Sequence, residues 1–564
     1  MCSLTLSDEI QGMMGRWIKI NQYLCTEQLN VVILEDYSFE LCINLVRFWI
    51  RGQNRELLHP DLRQFCQGLN AVIVSSQSLS KTTVLKYIER QGSELAVDLK
   101  PLLRVWPLNA QGLQYLNIPK LKLQIHFYFG ELKQGIKNFE LTADWLWVNQ
   151  QAGLLDEIGQ DLVDRFCRLN SLLYVRELSS EQRHFIQRSG FEVFSPHHEF
   201  ICRNTSAAKL ANSLSSPKHV AVIGGGIAGS SVAFALCQQG IQVSLFEANP
   251  GPGQGSSGNW VGAFHPHFTR NDDFLSQLTR LGCSHTVSQL MNLSEMGLIT
   301  EGKDWAQPGH LQWVSPENKI FVADWVQRIQ TNDSWVSWLD ERQAFKQSPA
   351  GLWFASGGWV KPVAWVKANL KACGNLLQTH YNHNLTVLPS GFDAVVVACA
   401  QRSLEFVNNS QFVAHQVKGQ VTLVQKKDNL PCVLSGQSYA IDTQEDWLLL
   451  GATYERPVAD LTSSDEANQK NIEQFTKTCP GFSIGSIVDQ RCGVRSVWAD
   501  RLPVIGPVDS QSNIYLTTGF GSRGFTWAAM AAWQITRLLG VRPRDGRIKF
   551  YDNLLPQRFI QSKR

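Results

Sequence analysis

"HVAVIGGGIAGSSVAFALCQQGIQVSLFEANPGPGQGSSGN", residues 219–259, places three glycines in G-x-G-x-x-G spacing directly after a run of β-branched residues. Gly224 would permit a tight turn, Gly226 would let the backbone approach a pyrophosphate, and Gly229 would let the following helix pack on the strand. The next strand pattern, "VSLFE", ends in Glu247, at the position that binds ribose hydroxyls in such units. A glycine-rich turn in an unrelated α/β domain is the alternative. The complete unit of strand, turn, helix, strand and acid predicts a Rossmann-type dinucleotide-binding domain.

Within this stretch, residues 220–237 carry no charge and resemble a membrane segment in hydropathy alone. A membrane helix needs about 20 predominantly apolar residues. This run instead divides into a short β-branched piece, a glycine turn and a helical pattern that begins at Ile227. We therefore predict that it does not span a membrane.

Composition and charge are those of an ordinary folded protein. Of the 564 residues, 44% are hydrophobic and 18% are charged, which predicts several domains with sizeable cores. The start, "MCSLTLSDEIQGMMGRW", lacks a basic segment followed by an apolar run, so we expect no signal or transit peptide and a cytoplasmic location. The thirteen cysteines include no C-x-x-C pair, and we expect no metal site. A net charge of +3 does not by itself indicate a nucleic-acid partner.

A second glycine-rich turn lies near the C-terminus, in "IYLTTGFGSRGFTWAAMAAWQI", residues 514–535. It follows another short strand pattern and precedes a helical pattern, and its glycines are Gly519, Gly521 and Gly524. NAD and FAD share the first fingerprint, but a second turn of this kind would approach the flavin end of an extended FAD. We therefore predict FAD as the cofactor, bound through both turns.

The segments between the two turns indicate further strands. "FDAVVVACA", residues 392–400, has the continuous apolar pattern of a buried parallel strand followed by small residues. "GLWFASGGWVKP", residues 351–362, and "HQVKGQVTLV", residues 415–424, predict an inserted substrate-binding sheet. The expected fold of this half is therefore an α/β, Rossmann-type FAD-binding domain with an inserted antiparallel sheet.

Several motifs together resemble a known family. In order along the chain they are "AVIGGGIAGSSVAFALCQQGIQVSLFEAN", "GQGSSGNWVGAFHPHF", "GGWVKPVAW", "GATYERPVADLTSSDEANQKNIEQF", "RCGVRSVWADRLPVIGPV" and "GFGSRGFTWAAMAAWQI". They resemble the FAD-dependent oxidoreductase half of the bifunctional tRNA 5-methylaminomethyl-2-thiouridine biosynthesis proteins of the MnmC type, which is related to glycine oxidase and D-amino-acid oxidase. The resemblance implies that the substrate is tRNA and that oxidation removes the carboxymethyl group from 5-carboxymethylaminomethyl-(2-thio)uridine at position 34. The product would be 5-aminomethyl-(2-thio)uridine.

The implied chemistry is amine oxidation, and it gives roles to three residues. Hydride leaves the carbon next to nitrogen, water hydrolyses the resulting imine, and a two-carbon oxo acid is released. The substrate carboxylate calls for an arginine, whose planar fork binds it bidentately. The resemblance places Arg495 at this carboxylate and Arg523 beside the flavin, and we expect Tyr439, in "GQSYAID", to cover the substrate side of the ring. The alternatives are an Arg495 paired with Asp500 or a backbone carbonyl, a structural Arg523 and a Tyr439 in the core.

Two other features of this half carry weaker predictions. His265 and His267 in "AFHPHF" flank one proline with no carboxylate nearby in sequence, which makes a poor metal site, and we expect no catalytic role for them. The tail "RPRDGRIKFYDNLLPQRFIQSKR", residues 542–564, has more basic than acidic residues. It would either neutralise tRNA phosphates or form a solvated face.

Residues 1–203 resemble the methyltransferase half of the same family, but with departures. "LNVVILEDYSFEL" resembles the family's second strand, whose terminal acid, here Glu35, would bind the ribose of S-adenosylmethionine. "LKLQIHFYFGEL" and "ADWLWVNQQ" resemble later strands, and "IQRSGFEVFSP" resembles the closing hairpin. The first strand and its glycine-rich loop have no counterpart, and Val148 and Asn149 stand where the family carries an Asp-Gly-Phe-type motif. The expected fold is a truncated Rossmann-like methyltransferase domain.

We therefore expect that this half no longer methylates and persists as a folding partner or a tRNA-docking surface. The competing interpretation is a divergent loop that still binds S-adenosylmethionine, or a start of the sequence upstream of Met1. The expected domains are a methyltransferase-like domain over 1–203, a linker rich in Ser, Ala and Asn over 204–218, and the FAD-dependent oxidoreductase domain over 219–564. Two other functions fit the same residues: a free glycine or amino-acid oxidase, and a non-enzymatic tRNA-binding flavoprotein.

Overall fold

The computed structural model divides the chain into two compact units. The first comprises Met1–Leu214 and Arg542–Asp552, and the second comprises Ser215–Val541 and Asn553–Arg564. The structure describes residues 29–35, 69–75, 110–119, 122–149, 165–175, 178–195, 199–203, 216–328, 335–407, 412–509 without 457 and 459, 513–541 and 547–559, and the single positions 45, 46, 49, 84, 86, 155, 159, 162 and 163. Most of the expected linker, residues 204–215, lies outside this set.

The first unit is built on one large sheet. Its described strands are β1 (Leu29–Glu35), β2 (Leu69–Ser75), β3 (Gly112–Ile118), β4 (Leu123–Phe129), β5 (Phe139–Glu140), β6 (Trp145–Asn149), β7 (Leu172–Val175), β8 (Phe191–Ser195) and β9 (Glu199–Cys202), and its described helices include α1 (Leu132–Asn138) and α2 (Ser180–Arg188). Eight strands pair in the order β3-β4-β2-β1-β6-β7-β9-β8. The five from β4 to β7 are parallel. The β8–β9 hairpin closes one side antiparallel, as the sequence predicted.

The position of β1 corrects one expectation from the sequence. Taken in chain order, the five parallel strands have the spatial order 3-2-1-4-5, which is that of a doubly wound sheet. Leu29–Glu35 is therefore the first and central strand, not the second, and the sheet is not truncated at its first strand. A central parallel strand is covered on both faces, which agrees with the nearly complete burial of residues 29–34.

This position changes the reason for expecting no methyl transfer. In doubly wound nucleotide-binding units the glycine-rich turn follows the first strand and the ribose-binding acid comes about 20 residues later, near the end of the second. Residues 36–44, "DYSFELCIN", contain no glycine, and β2 ends at Ser75, which is followed by Ser76 and Gln77. Glu35 does not lie on the second strand, and its side chain is outside the described part of the chain. Both cofactor-binding features are thus missing at the places where the topology requires them.

The second unit contains the predicted nucleotide-binding sheet. Its described strands are β10 (His219–Ile223), β11 (Gln242–Phe246), β12 (Gly262–Phe264), β13 (Trp305–Ala306), β14 (His310–Trp313), β15 (Ser337–Leu339), β16 (Gly351–Phe354), β17 (Gly358–Val360), β18 (Leu377–His380), β19 (Ala394–Val397), β20 (Ala414–Lys426), β21 (Val433–Ser435), β22 (Tyr439–Asp442), β23 (Trp447–Gly451), β24 (Ile484–Trp498), β25 (Val504–Pro507) and β26 (Ile514–Thr518). Six of them form the sheet β18-β11-β10-β19-β26-β25, parallel except for β25. The Rossmann-type fold is confirmed.

Two further sheets confirm the predicted insertion. One has eight strands in the order β15-β16-β14-β21-β22-β23-β20-β24, and all its pairs are antiparallel except β14 with β21. The other joins β12, β17 and β13. The described helices of this unit are α3 (Ile227–Cys237), α4 (Phe274–Glu295), α5 (Lys319–Arg328), α6 (Pro362–Ala372), α7 (Asp465–Thr478) and α8 (Gly524–Leu538). Among the described helices, none has the length and apolarity that crossing a bilayer requires.

The C-terminal segment divides between the two units, which differs from the expectation that 219–564 form one domain. Strand β27 (Arg547–Ile548) pairs antiparallel with β5. Lys549 Nζ lies 2.8 Å from Glu140 Oε1. These contacts assign Arg542–Asp552 to the first unit.

The close packing of α3 on β10 depends on Gly229. A Cβ atom at this position would lie 1.9 Å from the carbonyl oxygen of Gly224 and 3.2 Å from Val222. The oxygen belongs to the backbone of the turn, so it cannot move away as a flexible side chain would. Gly229 therefore has the packing role that the fingerprint predicts.

We predict that Gly229→Ala lowers the free energy of unfolding by about 1 to 3 kcal/mol, the usual cost of overpacking. Thermal unfolding of the FAD-free protein measures this effect. Gly255→Ala is the control, because a Cβ there would have nothing within 4 Å. Equal melting temperatures for the two variants would contradict the packing role.

Candidate flavin and substrate site

The second unit encloses a cavity of about 640 Å³, a size usual for cofactor and small-molecule sites. Both glycine turns and the inserted sheet contribute to its wall. The predicted site residues that line it are Gly224, Gly226, Glu247, Tyr439, Arg495, Gly519, Gly521, Arg523 and Gly524. Gly229, the remaining one, lies in the packing contact between α3 and β10.

The first glycine turn has free space at Gly226, where a phosphate group would approach. Gly224 has a φ of 109°, and a Cβ there would lie 2.6 Å from the carbonyl oxygen of Ala398. A Cβ at Gly226 would meet only the Ser257 side chain, at 3.1 Å. The protein itself therefore does not need glycine at position 226 for packing. The free space lies at the N-terminus of α3, which favours an anion, and it fits the pyrophosphate of FAD.

Glu247 ties the first turn to the end of β11. Its Oε2 accepts a hydrogen bond from the Gly225 amide at 2.6 Å, and its Oε1 accepts two from Asn249, from the backbone N–H at 2.8 Å and the side-chain amide at 2.6 Å. The side chain is buried but still lines the cavity. A carboxylate offers about four lone-pair sites, and three are occupied, so Glu247 can accept one ribose hydroxyl in addition to holding the turn.

The backbone conformation of the second turn also requires glycine. Gly519 and Gly521 have φ values of 74° and 55°. A Cβ at Gly519 would lie 1.9 Å from the indole ring of Trp498. Gly524 begins α8, with Arg523 directly before it. The two turns therefore bring two helix N-termini to one cavity, as an extended FAD requires.

Arg491 is a site residue that the sequence analysis missed. Its guanidinium donates hydrogen bonds to the side-chain oxygen of Asn259 at 2.7 Å and to the carbonyl oxygens of Gln254 and Gly255 at 2.9 and 2.7 Å. It thereby fixes the glycine-rich loop that follows the fingerprint. The sequence could have indicated this residue. Arg491 and Arg495 are four residues apart on one strand, and residues at this spacing project to the same face of a sheet.

Arg495 has the environment expected for an anion-binding residue. Neither proposed structural partner is observed: Asp500 pairs with Arg558 at 2.7 Å, and within the described residues Arg495 has no carboxylate within 4.0 Å and no side-chain hydrogen bond. Its guanidinium lies over Gly419, where a Cβ would come within 2.7 Å of Nη2. The structural alternative for Arg495 is therefore not supported.

Tyr439 lies on β22, where it lines the cavity wall and also packs against the apolar cluster that contains Val421 and Ile441. Burial raises the pKa of its phenol, and the positive charge of nearby Arg495 opposes this rise. The two side chains are therefore close enough to act on the same bound molecule. Ser435, on the neighbouring strand, is paired with Tyr439 in the ladder and also faces the cavity.

Arg523 is largely buried at the start of α8. Burial, together with the charge of Arg501, lowers the pKa of its guanidinium, but an arginine remains protonated in proteins. Within the described residues no carboxylate pairs with its side chain. Its charge contributes to lowering the pKa values of His265 and His267, so it lies near the "HPH" segment.

His265 pairs with a histidine that the sequence analysis did not consider. Its ring centroid lies 3.9 Å from that of His310, and both rings line the cavity. Burial lowers the pKa of His265 to about 4 and that of His310 well below its usual value. The His265 Nδ1–H donates to the carbonyl oxygen of Pro266 at 2.7 Å, and His310 Nε2 lies 2.6 Å from Ser435 Oγ. Both imidazoles are thus neutral at physiological pH.

No metal site is formed by the part of the chain that the structure describes, since it holds no group of three or more potential ligands. The basic tail gives little support for a nucleic-acid surface. Its three described cations each have an acidic partner, in the pairs Arg547–Asp552, Lys549–Glu140 and Arg558–Asp500. The other cations of the tail lie outside the described residues.

We predict that Gly226→Val leaves the fold intact but abolishes flavin binding, because the new side chain would occupy the space of the pyrophosphate. Flavin absorbance after purification and the melting temperature of the FAD-free protein test the two parts separately. Gly229→Ala is the contrasting variant, since it should lower stability itself. Full flavin occupancy in Gly226→Val would contradict the assignment of this turn.

Comparisons with known proteins agree with the site. The family model described as FAD dependent oxidoreductase (DAO) matches residues 219–538. Solved structures of similar fold include a glycine oxidase from Bacillus cereus, with a TM-score of 0.52 and 17% identity over 60% of this chain and 98% of that one. Another is L-proline dehydrogenase from P. horikoshii, with a TM-score of 0.52 and 17% identity over 62% of this chain and 99% of that one.

Curated relatives match beyond this domain. The tRNA 5-methylaminomethyl-2-thiouridine biosynthesis bifunctional protein MnmC of Thiobacillus denitrificans is 28% identical over 62% of this chain and 61% of its own length. The proteins of the same name from Azoarcus sp. and Burkholderia lata are 24% and 25% identical, over 81% and 88% of this chain and 79% and 86% of theirs.

These matches confirm FAD as the cofactor and the resemblance to MnmC-type proteins. The family model covers more than half of the chain and coincides with the two glycine turns and the inserted sheet. The chain therefore belongs to the FAD-dependent oxidoreductase (DAO) family, and its curated relatives are of the MnmC type.

Proposed function

We propose that this protein oxidises the carboxymethylamine group of a modified wobble uridine in tRNA. The observation that carries the proposal is the Arg495 guanidinium, which faces the cavity beside Tyr439 without a carboxylate partner among the described residues. Arg495 is half-buried, and a guanidinium that forms no ion pair with the described residues is available to bind an anionic ligand. A substrate carboxylate is the counter-ion that suits its planar fork.

The charges in the cavity wall support an anionic substrate in addition to the cofactor. Four arginines and one glutamate line it: Arg402, Arg491, Arg495, Arg523 and Glu247. Arg402 pairs with Glu405, and Arg491 binds the loop after the fingerprint. Arg495 and Arg523 remain for ligands. We assign Arg495 to the substrate carboxylate and Arg523, at the start of α8, to the flavin end of the cofactor.

The reaction removes a carboxymethyl group as a two-carbon oxo acid. FAD, when bound, accepts the hydride. The substrate R–NH–CH2–COO⁻ loses a hydride from the CH2 carbon and a proton from nitrogen, and water then adds to the C=N bond. The products are R–NH2 and OHC–COO⁻. In this sequence Arg495 orients the carboxylate, Tyr439 packs against the substrate, and the neutral His265–His310 pair avoids adding positive charge next to the amine.

The proposal that the substrate is tRNA rests on the names of the curated relatives. They are described as tRNA 5-methylaminomethyl-2-thiouridine biosynthesis proteins, and R is accordingly the 5-methylene group of uridine 34. A tRNA substrate also places the enzyme in the cytoplasm. A free glycine or amino-acid oxidase is the second candidate, favoured by the fold that the chain shares with glycine oxidase. A non-enzymatic flavoprotein is disfavoured by the two arginines that face the cavity without a protein partner.

We also propose that the first unit does not carry out the methylation named in its relatives. The sheet is that of a doubly wound nucleotide-binding domain, but residues 36–44 lack glycine and β2 ends in Ser75. Without these features neither the methionine part nor the ribose of S-adenosylmethionine has its usual protein contacts.

We predict that Arg495→Ala retains FAD but loses most of its reduction by substrate, with a penalty of about 2 to 4 kcal/mol for the missing charge-assisted pair. Anaerobic single-turnover reduction of the flavin measures this loss. Arg495→Lys keeps the charge without the fork and should be intermediate. Arg328→Ala is the control, because Arg328 is 70% exposed on α5 and, among the described residues, its ion pair is with Asp324 in its own helix. Unchanged reduction in Arg495→Ala would remove this residue from the site.

The product identifies the function. Incubation of the protein with carboxymethylaminomethyl-tRNA and S-adenosylmethionine, followed by nucleoside analysis, should give aminomethyluridine and no methylaminomethyluridine. Methylaminomethyluridine would show that the first unit methylates. Oxidation of free glycine without any conversion of the tRNA would instead support the amino-acid oxidase.

A further inference from the structure

An exposed tyrosine, Tyr454, lies next to the cavity: it does not line the cavity itself, but it is in register with Gly419 on β20, which does. Lys418 and Glu455 exchange two backbone hydrogen bonds, of 3.2 and 3.0 Å, and the Thr453 amide donates to Gln420 at 3.1 Å. This antiparallel register places Tyr454 directly opposite Gly419. Opposite residues of an antiparallel pair project to the same face.

That face is the cavity face. Gly419 lines the cavity, whereas Gln420 faces the other side, where its amide donates to Asn468 Oδ1 on α7 at 2.8 Å. The Thr453 hydroxyl accepts from the Gln420 backbone amide, so Thr453 is fixed on that side too. Tyr454, its neighbour in an extended segment, therefore projects towards the cavity side.

Two glycines stand beside Tyr454 in the sheet. Gly419 pairs with Gly493 on β24, so the row across the three strands reads Tyr454, Gly419, Gly493. The Arg495 guanidinium lies over Gly419. The backbone of Tyr454 is about one strand spacing, or roughly 4.8 Å, from that of Gly419, the residue that lies under the Arg495 guanidinium.

The tyrosine is exposed although nothing in its own segment requires an aromatic residue. Its side chain is 61% exposed, and the Arg456 guanidinium lies 5.3 Å from the ring centroid. The acids of this segment, Glu455 and Asp460, both pair with Lys418, at 3.6 and 3.3 Å. The charges of these two acids, Lys418 and Arg456 sum to zero. This segment therefore does not repel an anionic polymer.

We infer that Tyr454 is the stacking surface for the uracil ring whose carboxymethylaminomethyl group enters the cavity. This inference rests on the proposed function. Four bonds separate the ring carbon from the carboxylate carbon, a reach of about 5 Å, which is close to the strand spacing between Tyr454 and Gly419, the residue under Arg495. Proteins that bind unpaired RNA bases commonly stack them on exposed aromatic side chains.

Tyr454→Ala should raise KM for carboxymethylaminomethyl-tRNA about 5- to 150-fold, the effect of losing one base stack. The value of kcat at saturating tRNA and the bound FAD should not change. Tyr454→Phe keeps the ring and should behave as wild type. Phe321→Ala is the matched control, since Phe321 is 62% exposed on α5, which does not line the cavity. N-ethylglycine carries the same tail without a base, and wild type and Tyr454→Ala should treat it alike.

The outcomes separate this inference from the function on which it rests. If wild type converts the tRNA and Tyr454→Ala has the wild-type KM, or if Phe321→Ala loses as much, the stacking role is wrong and the function stands. A loss in Tyr454→Phe equal to that in Tyr454→Ala would also overturn it. If wild type does not convert the tRNA at all, the proposed function fails and the inference falls with it.

Discussion

The contact between Gly229 and the carbonyl oxygen of Gly224 is the constraint on which the second unit depends. It lets α3 approach β10 more closely than any side chain would allow, and this approach directs the N-terminus of α3 into the cavity. Glu247 also holds the turn in place: its carboxylate accepts a hydrogen bond from the Gly225 amide, which fixes the turn to the end of β11. Packing and cofactor binding thus depend on the same few backbone atoms, while Gly226 alone is left free for the ligand.

The inserted sheet supplies the other half of the site. Pairing of β20 with β24 brings Arg491 and Arg495 to one face, and the long register between these strands holds their spacing. The two arginines then act differently because of their neighbours. The Arg491 guanidinium donates its hydrogen bonds to the loop after the fingerprint. Arg495 lies over Gly419, and no acid of the described residues is within 4.0 Å of its guanidinium. A rigid sheet therefore presents one structural and one ligand-binding guanidinium side by side.

The first unit shows that a fold and its binding loop are stabilised separately. The parallel strands bury continuous apolar runs such as residues 29–34, and this burial does not depend on which residues follow the strands. In the first unit this core is retained although residues 36–44, which follow β1, contain no glycine. The doubly wound topology is therefore compatible with the loss of S-adenosylmethionine binding.

The sequence by itself determined the features that depend on local backbone geometry: the two glycine turns, the strands and helices around them, and FAD as their ligand. These follow from spacing along the chain, because a tight turn and a close helix contact involve residues within a few positions of each other. The tertiary structure alone decided which distant residues meet. His310 lies against His265 because two different sheets meet at the cavity. Gly419 lies under Arg495, and Tyr454 lies across from Gly419, through pairing between separate segments of the inserted sheet. It also decided that Leu29–Glu35 is a central first strand, because buried strands share one apolar pattern and only their neighbours in the sheet distinguish them.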